Sequence, residues 1–278
     1  MRVRSICRAV VFACTAAFVV CVAPASAVDI SSCRTVVPRG TDAQLVADLV
    51  CPSGAAVILE SRAALYLSGH TITVDDGVAI GCVSGRCSVT GPGELVGQND
   101  PGSVGIGLGP GGNLRARDVL VRGFGSGIAG GQRSKLGLER VTIEDSSTWG
   151  IHPGVRSRVT ATDLTVTGTV GPTGRAVHAT RCRGSHWKVS NNFATFGFNQ
   201  SGVACGRARV DPLTATGNAG LGVHTAGAAR LANATITGND AGGQGIDIET
   251  GRPPNAPGIV CGKSSDGEVG NWGICAGD

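Results

Sequence analysis

Val141-Thr142-Ile143-Glu144-Asp145-Ser146-Ser147-Thr148-Trp149-Gly150-Ile151-His152 combines a short apolar alternation, a polar turn and a Gly followed by an aliphatic residue. The phrase returns along the chain. Its closing element recurs as Val78-Ala79-Ile80-Gly81, Val104-Gly105-Ile106-Gly107, Gly127-Ile128-Ala129, Gly150-Ile151-His152, Ala176-Val177-His178, Gly197-Phe198-Asn199, Gly222-Val223-His224 and Gly245-Ile246-Asp247, at intervals of 21 to 26 residues. A second ladder keeps step through Val119-Leu120-Val121, Val141-Thr142-Ile143, Leu164-Thr165-Val166, Trp187-Lys188-Val189, Leu213-Thr214-Ala215 and Ala234-Thr235-Ile236, and a weaker third strand precedes it at Leu114, Leu136 and Val159. Three short strands per repeat, joined by tight Gly and Asn corners, predict a parallel β-helix in which each rung buries alternate side chains against the next.

These repeats resemble those of right-handed parallel β-helix proteins of the pectate-lyase-like superfamily. Leu67-Ser68-Gly69-His70-Thr71-Ile72-Thr73 is a phrase common in their first rungs. The resemblance implies an all-β, single-domain right-handed helix of about eight rungs over 55–250. The superfamily contains lyases, hydrolases, epimerases, adhesins and phage spikes, so the fold by itself does not select a chemistry.

Composition fits a secreted protein. Of 278 residues, 45 are Gly, 11 Cys and 1 Met. Residues 1–27 carry Arg2, Arg4 and Arg8, an apolar run from Ala9 to Ala23, and Ala25-Ser26-Ala27, which reads as a signal peptide cleaved before Val28. The leader holds three Arg and no acid, so the mature net charge falls from +4 to +1 and the electrostatic case for a nucleic-acid partner is lost. No membrane span is expected after the leader, and a monomer is expected. The leader also takes Cys7, Cys14 and Cys21, leaving Cys33, Cys51, Cys82, Cys87, Cys182, Cys205, Cys261 and Cys275 as four couples, with sequential disulfide pairing the simplest arrangement. The open ends of a β-helix need covers. Thr41-Asp42-Ala43-Gln44 reads as a capping box, and Leu45, Val46, Leu49 and Val50 continue an apolar stripe, predicting a short helix in an N-terminal cap over 28–54. The Pro-rich 251–278 stretch is expected to close the other end.

If Ile151, Val177, Phe198, Val223 and Ile246 point inward, His152, His178, Asn199, His224 and Asp247 form one outward column, below which stand Gly81, Gly107 and Ala129. Three of the chain's five His fall in it. Exposed stripes on such helices resemble the polysaccharide grooves of lyases and epimerases. Removing a proton alpha to a uronate carboxylate requires a base and a cation that neutralises the carboxylate. His152 or His178 is the candidate base, Arg175 and Arg181 the candidate carboxylate holders, Trp149 a platform for a sugar face, and Asn199 and His224 further substrate contacts. Hydrolysis needs two carboxylates about 5 to 9 Å apart, which Asp247 and Glu249 would provide if both faced outward.

Trp149-Gly150-Ile151-His152-Pro153-Gly154 has the frame of the Tyr-Gly-Phe-Asp-Pro-His motif of alginate epimerases, but puts His at the Asp position and Gly at the His position, so that catalytic pair does not carry over. Two rungs, ~9.6 Å, separate His178 from His224, too far for three imidazoles to share a metal readily, and no cofactor is indicated. The expected partner is an extracellular polysaccharide. The alternative is a solvated polar stripe on a non-catalytic binding or adhesin-type β-helix.

Overall fold

Alternation along each short segment leaves one side to bury, and each segment finds its partner in the next repeat. In the computed structural model, which describes residues 27–171, 175–194, 202–239, 246–267 and 270–278, the chain is an all-β parallel β-solenoid of about nine turns. The register runs Ile80, Ile106, Ile128, Ile151, Val177, Val203, Val223, Ile248 on one face, each fully buried over the last. Val141, Leu164, Trp187 and Leu213 stack likewise on a second face, and Leu114, Leu136, Val159 and Cys182 on a third. A Gly precedes the inward aliphatic at five of these eight positions, and at Gly150 the reason is steric. A Cβ on Gly150 would lie 2.5 Å from the Ala176 carbonyl oxygen and 2.5 Å from Val166 Cγ1, so the rung above and the opposite wall leave room for nothing larger.

The expected capping helix is not formed. Asp42–Leu45 and Leu49–Leu59 are strands, and no helix occurs among the described residues. Ala43, Leu45, Leu49 and Cys51 are buried, whereas Val46 and Val50, which a helical stripe would bury, are 43% and 71% exposed. The burial period is therefore two. Pairing with Ala64–Tyr66 and Thr71–Cys82 overrides the local capping signal and starts the coil at Val28–Ile30, a turn earlier than expected.

Four disulfides join Cys33–Cys51, Cys82–Cys87, Cys182–Cys205 and Cys261–Cys275, the sequential arrangement. At the C-terminal end the Asp278 carboxylate accepts hydrogen bonds from the Ser264, Ile274 and Cys275 amides and the Ser264 hydroxyl, folding the tail over the last rung.

One interior column is polar. Asn192 Nδ2 donates to Asn218 Oδ1 and Asn218 Nδ2 donates to Asn239 Oδ1, both at 2.8 Å, and Asn239 Nδ2 donates to Asp247 Oδ1 at 2.8 Å. The ladder begins at Asn192, whose neighbour Asn191 takes the exposed left-handed corner position at φ 56°. Phe193, next along the chain, is exposed, while Phe198, expected to point inward, lies outside the described residues.

Candidate functional site

The outward column beside the Ile80–Ile248 stack reads Gly81, Gly107, Ala129, His152, His178, Ala204, His224, Glu249. The small floor followed by a polar ridge is as the periodicity implied. Two members differ from expectation. Ala204 stands between His178 and His224, and Asn199 lies outside the described residues. Asp247 is not in the column. It is 2% exposed, accepts from Asn239 Nδ2 and the Gly262 amide, and terminates the asparagine ladder, while Glu249 pairs with His224 in register. The Asp247–Glu249 pair therefore does not share a face, and the carboxylate couple needed for hydrolysis does not assemble there.

A groove of about 350 Å³ opens over His152, Arg175, His178, Ala204 and His224, walled by Gly154 and Val155. Its centre is a pair of imidazoles. His152 Nδ1 and His178 Nδ1 are 3.1 Å apart, with ring planes 15° from parallel. Trp149 stacks on His152 at 4.4 Å between centroids and faces His178 at 5.5 Å. Arg175, directly above Trp149 in register, holds its guanidinium carbon 5.6 Å from the Trp149 ring. Arg175 Nε is buried and makes no hydrogen bond among the described residues. Glu249 Oε1 comes within 2.9 Å of His224 Nδ1 at the far end, in a direction outside hydrogen-bond geometry.

Burial, and then the Arg175 charge, lower the His152 pKa. Burial, followed by Arg175 and the neighbouring His152 and His224, lowers that of His178 to about 4. Both rings are neutral at pH 7. In a neutral pair one Nδ1–H donates and the other Nδ1 accepts, so the donor ring carries an unprotonated Nε2 and the acceptor ring an Nε2–H. One side chain thus offers a base and its neighbour an acid.

Arg181 does not join them. It lies past the corner on the Leu114–Cys182 face, in register with Arg158 and Arg207; only Ala179 and Thr180 separate it from His178 along the strand, and the chain turns between them. His70 and His186 are also apart from the groove, at corners, where His70 Nδ1 lies 3.2 Å from Asp48 and His186 Nδ1 3.6 Å from Asp163. Among the described residues no helix is long and apolar enough to cross a membrane, and no cluster of three His, Cys, Asp or Glu side chains is placed to hold a metal.

Fold and groove together define a disulfide-stapled parallel β-solenoid with one histidine-lined surface site. No protein-family model matches the chain, and no curated protein matches it. Among solved structures the Dettilon tailspike protein is similar over 81% of this chain, at 12% identity and a TM-score of 0.34. The chain spans 55% of that tailspike's length.

Proposed function

We propose that this is a secreted, carbohydrate-active protein of pectate-lyase-like type that engages an acidic extracellular polysaccharide in the His152–His178 groove and removes the proton alpha to a uronate carboxylate. The observation that carries the reading is the Nδ1–Nδ1 contact of two neutral histidines, flanked by the Arg175 guanidinium. Arg175 takes the substrate carboxylate in bidentate fashion and stabilises the charge that develops on it, and Trp149 supports a sugar face. The histidine with a free Nε2 accepts the ring proton as the C–H bond breaks. In elimination the C–O bond to the departing sugar then breaks, a C=C bond forms, and the partner Nε2–H protonates the leaving oxygen. Transfer of the Nδ1 proton across the pair returns both rings to neutrality with their tautomers exchanged. In epimerisation a solvent water gives a proton to the opposite face of the carbanion and the protonated histidine returns its proton to the hydroxide left behind, so no bond to a neighbouring sugar breaks.

The test is incubation with polygalacturonate, alginate and neutral glucans, following ultraviolet absorbance of unsaturated product, reducing ends, and deuterium exchange at the carbon alpha to the carboxylate. Unsaturated product identifies a lyase, and exchange without cleavage an epimerase. Reducing ends without unsaturation, or binding with no reaction in any channel, would sink the proton-abstraction reading, the latter in favour of a non-catalytic binding module.

A further inference from the structure

Beyond the groove, the neighbouring face carries an array of cations. Lys135, Arg158, Arg181 and Arg207 occupy one outward column in unbroken register over four rungs, and Arg183, Arg209 and Arg230 occupy the column two residues along over three. All seven are exposed. The rung and strand spacings place them on a lattice of about 4.8 by 6.6 Å, so the longer column spans ~14 Å. Cys182 and Ala208 lie inward between the columns, leaving an open trough of about 450 Å³ walled by guanidinium groups.

Like charges at this spacing repel, and surface arginines normally sit beside acids that relieve them. That occurs lower on the same face, where Arg117 lies 3.0 Å from Glu139 and Arg140 pairs with Asp118. None of the seven has an ion pair among the described residues. The near-zero mature charge conceals this local excess. A row of unrelieved, mostly Arg cations repeating along the solenoid matches a linear chain carrying regularly spaced anions that accept forked hydrogen bonds.

We infer that the Lys135–Arg207 and Arg183–Arg230 columns form a binding face for a linear acidic polysaccharide, separate from the groove and independent of any reaction there. The trough presents no aromatic ring, so nothing on it stacks a nucleic-acid base, and the columns lie flat on a sheet instead of projecting an element into a duplex groove. Carboxylate and sulfate polymers share the required chemistry, and the two are separated by the choice of probe.

The experiment measures binding of polygalacturonate, dextran sulfate, uncharged dextran and duplex DNA by the full-length mature chain across a salt series. It is run in an Arg175→Ala background so that the groove contributes no cation. The expected result is binding of at least one acidic polymer, none of dextran, and a linear fall of log affinity with log salt, as counterion release requires. Combined Arg158→Gln, Arg181→Gln and Arg207→Gln substitution is expected to weaken binding at least tenfold and flatten the salt dependence, with circular dichroism and melting temperature unchanged. Equal binding by the triple variant, equal binding of uncharged dextran, or tighter binding of DNA than of both acidic polymers would each overturn the inference. If the triple variant misfolds, Arg183→Gln with Arg209→Gln in the second column provides the same reading. Absence of any reaction in the chain that keeps Arg175, with this binding intact, would count against the proposed function alone.

Discussion

His152 and His178 sit on adjacent rungs with their Nδ1 atoms 3.1 Å apart, so each ring spends one nitrogen on the other and keeps Nε2 for chemistry. That contact requires at least one ring to be unprotonated. Burial and the Arg175 charge enforce it from outside, and the pair enforces it from within.

The first prediction concerns pH. The His178 pKa is depressed in the folded chain to about 4 from the ordinary 6.5. Between these values the unfolded chain binds a proton that the native chain does not, so stability is fully present above pH 6.5, falls as pH drops toward 4, and levels off below. His152 adds in the same direction. Melting temperature is therefore expected to fall across this window and to fall less in His178→Asn, which cannot titrate there. Calorimetry at pH 7, 6, 5 and 4 checks this, and identical pH slopes in the two proteins would contradict it.

The second prediction separates the roles in the groove. His178→Ala and His152→Ala each remove half of an acid–base pair and are expected to lower kcat by about 10²–10⁴-fold. Because the two act as a unit, the double variant should lose little more than either single one. Arg175→Lys keeps a charge but loses the fork, so it is expected to raise KM for the polyuronate and to lower kcat less than the histidine variants do. Steady-state kinetics on whichever polyuronate reacts gives both numbers. Additive losses in the double His variant would argue against a shared proton.

The coil was legible because its repeat pairs like with like at every turn, and the column from Gly81 to His178 followed from alternation alone. The last rung was not. Ile246-Asp247 and Ile248-Glu249 fit the same apolar–polar phrase two residues apart, and a period of two cannot choose between them; only the pairing of Val223 with Ile248 does. Asn191 and Asn192 are adjacent, and the corner's left-handed φ decides which turns inward. The capping box at Thr41 was a sound local signal that strand pairing overruled. The arginine face stayed hidden because its members stand on the weak third strand of the repeat, where little apolar alternation marks which residues share a column and only the strand pairing aligns Lys135, Arg158, Arg181 and Arg207.

The third prediction tests the polar ladder. Asn218 is buried, accepts from the Asn192 amide and Nδ2, and donates to Asn239 Oδ1 and the Val189 carbonyl. Replacing it by Ala strands buried groups on both neighbouring rungs and is expected to cost ~3 kcal/mol. Asn191→Ala, at an exposed corner, gives up only a residue tolerant of positive φ and should cost about 1 kcal/mol. Chemical denaturation compares the two, and a reversed order would remove the ladder's structural role.

The fourth prediction ranks the disulfides. Cys182–Cys205 closes 23 residues and Cys82–Cys87 closes 5. If cross-links act by restricting the unfolded chain, the cost of removal grows with the logarithm of loop length, giving about 3.4 kcal/mol for the first and about 2.1 kcal/mol for the second. The longer one also has a local consequence. Cys205 lines the histidine groove and Cys182 lies between Arg181 and Arg183, so this cross-link ties together the corner that the groove and the cationic face share. Cys182→Ala with Cys205→Ala is therefore expected to lower the melting temperature more than Cys82→Ala with Cys87→Ala, and to raise KM in the groove where the other pair leaves it unchanged. Equal losses of stability with unchanged KM in both would show that the cross-link restricts the unfolded chain without positioning the groove.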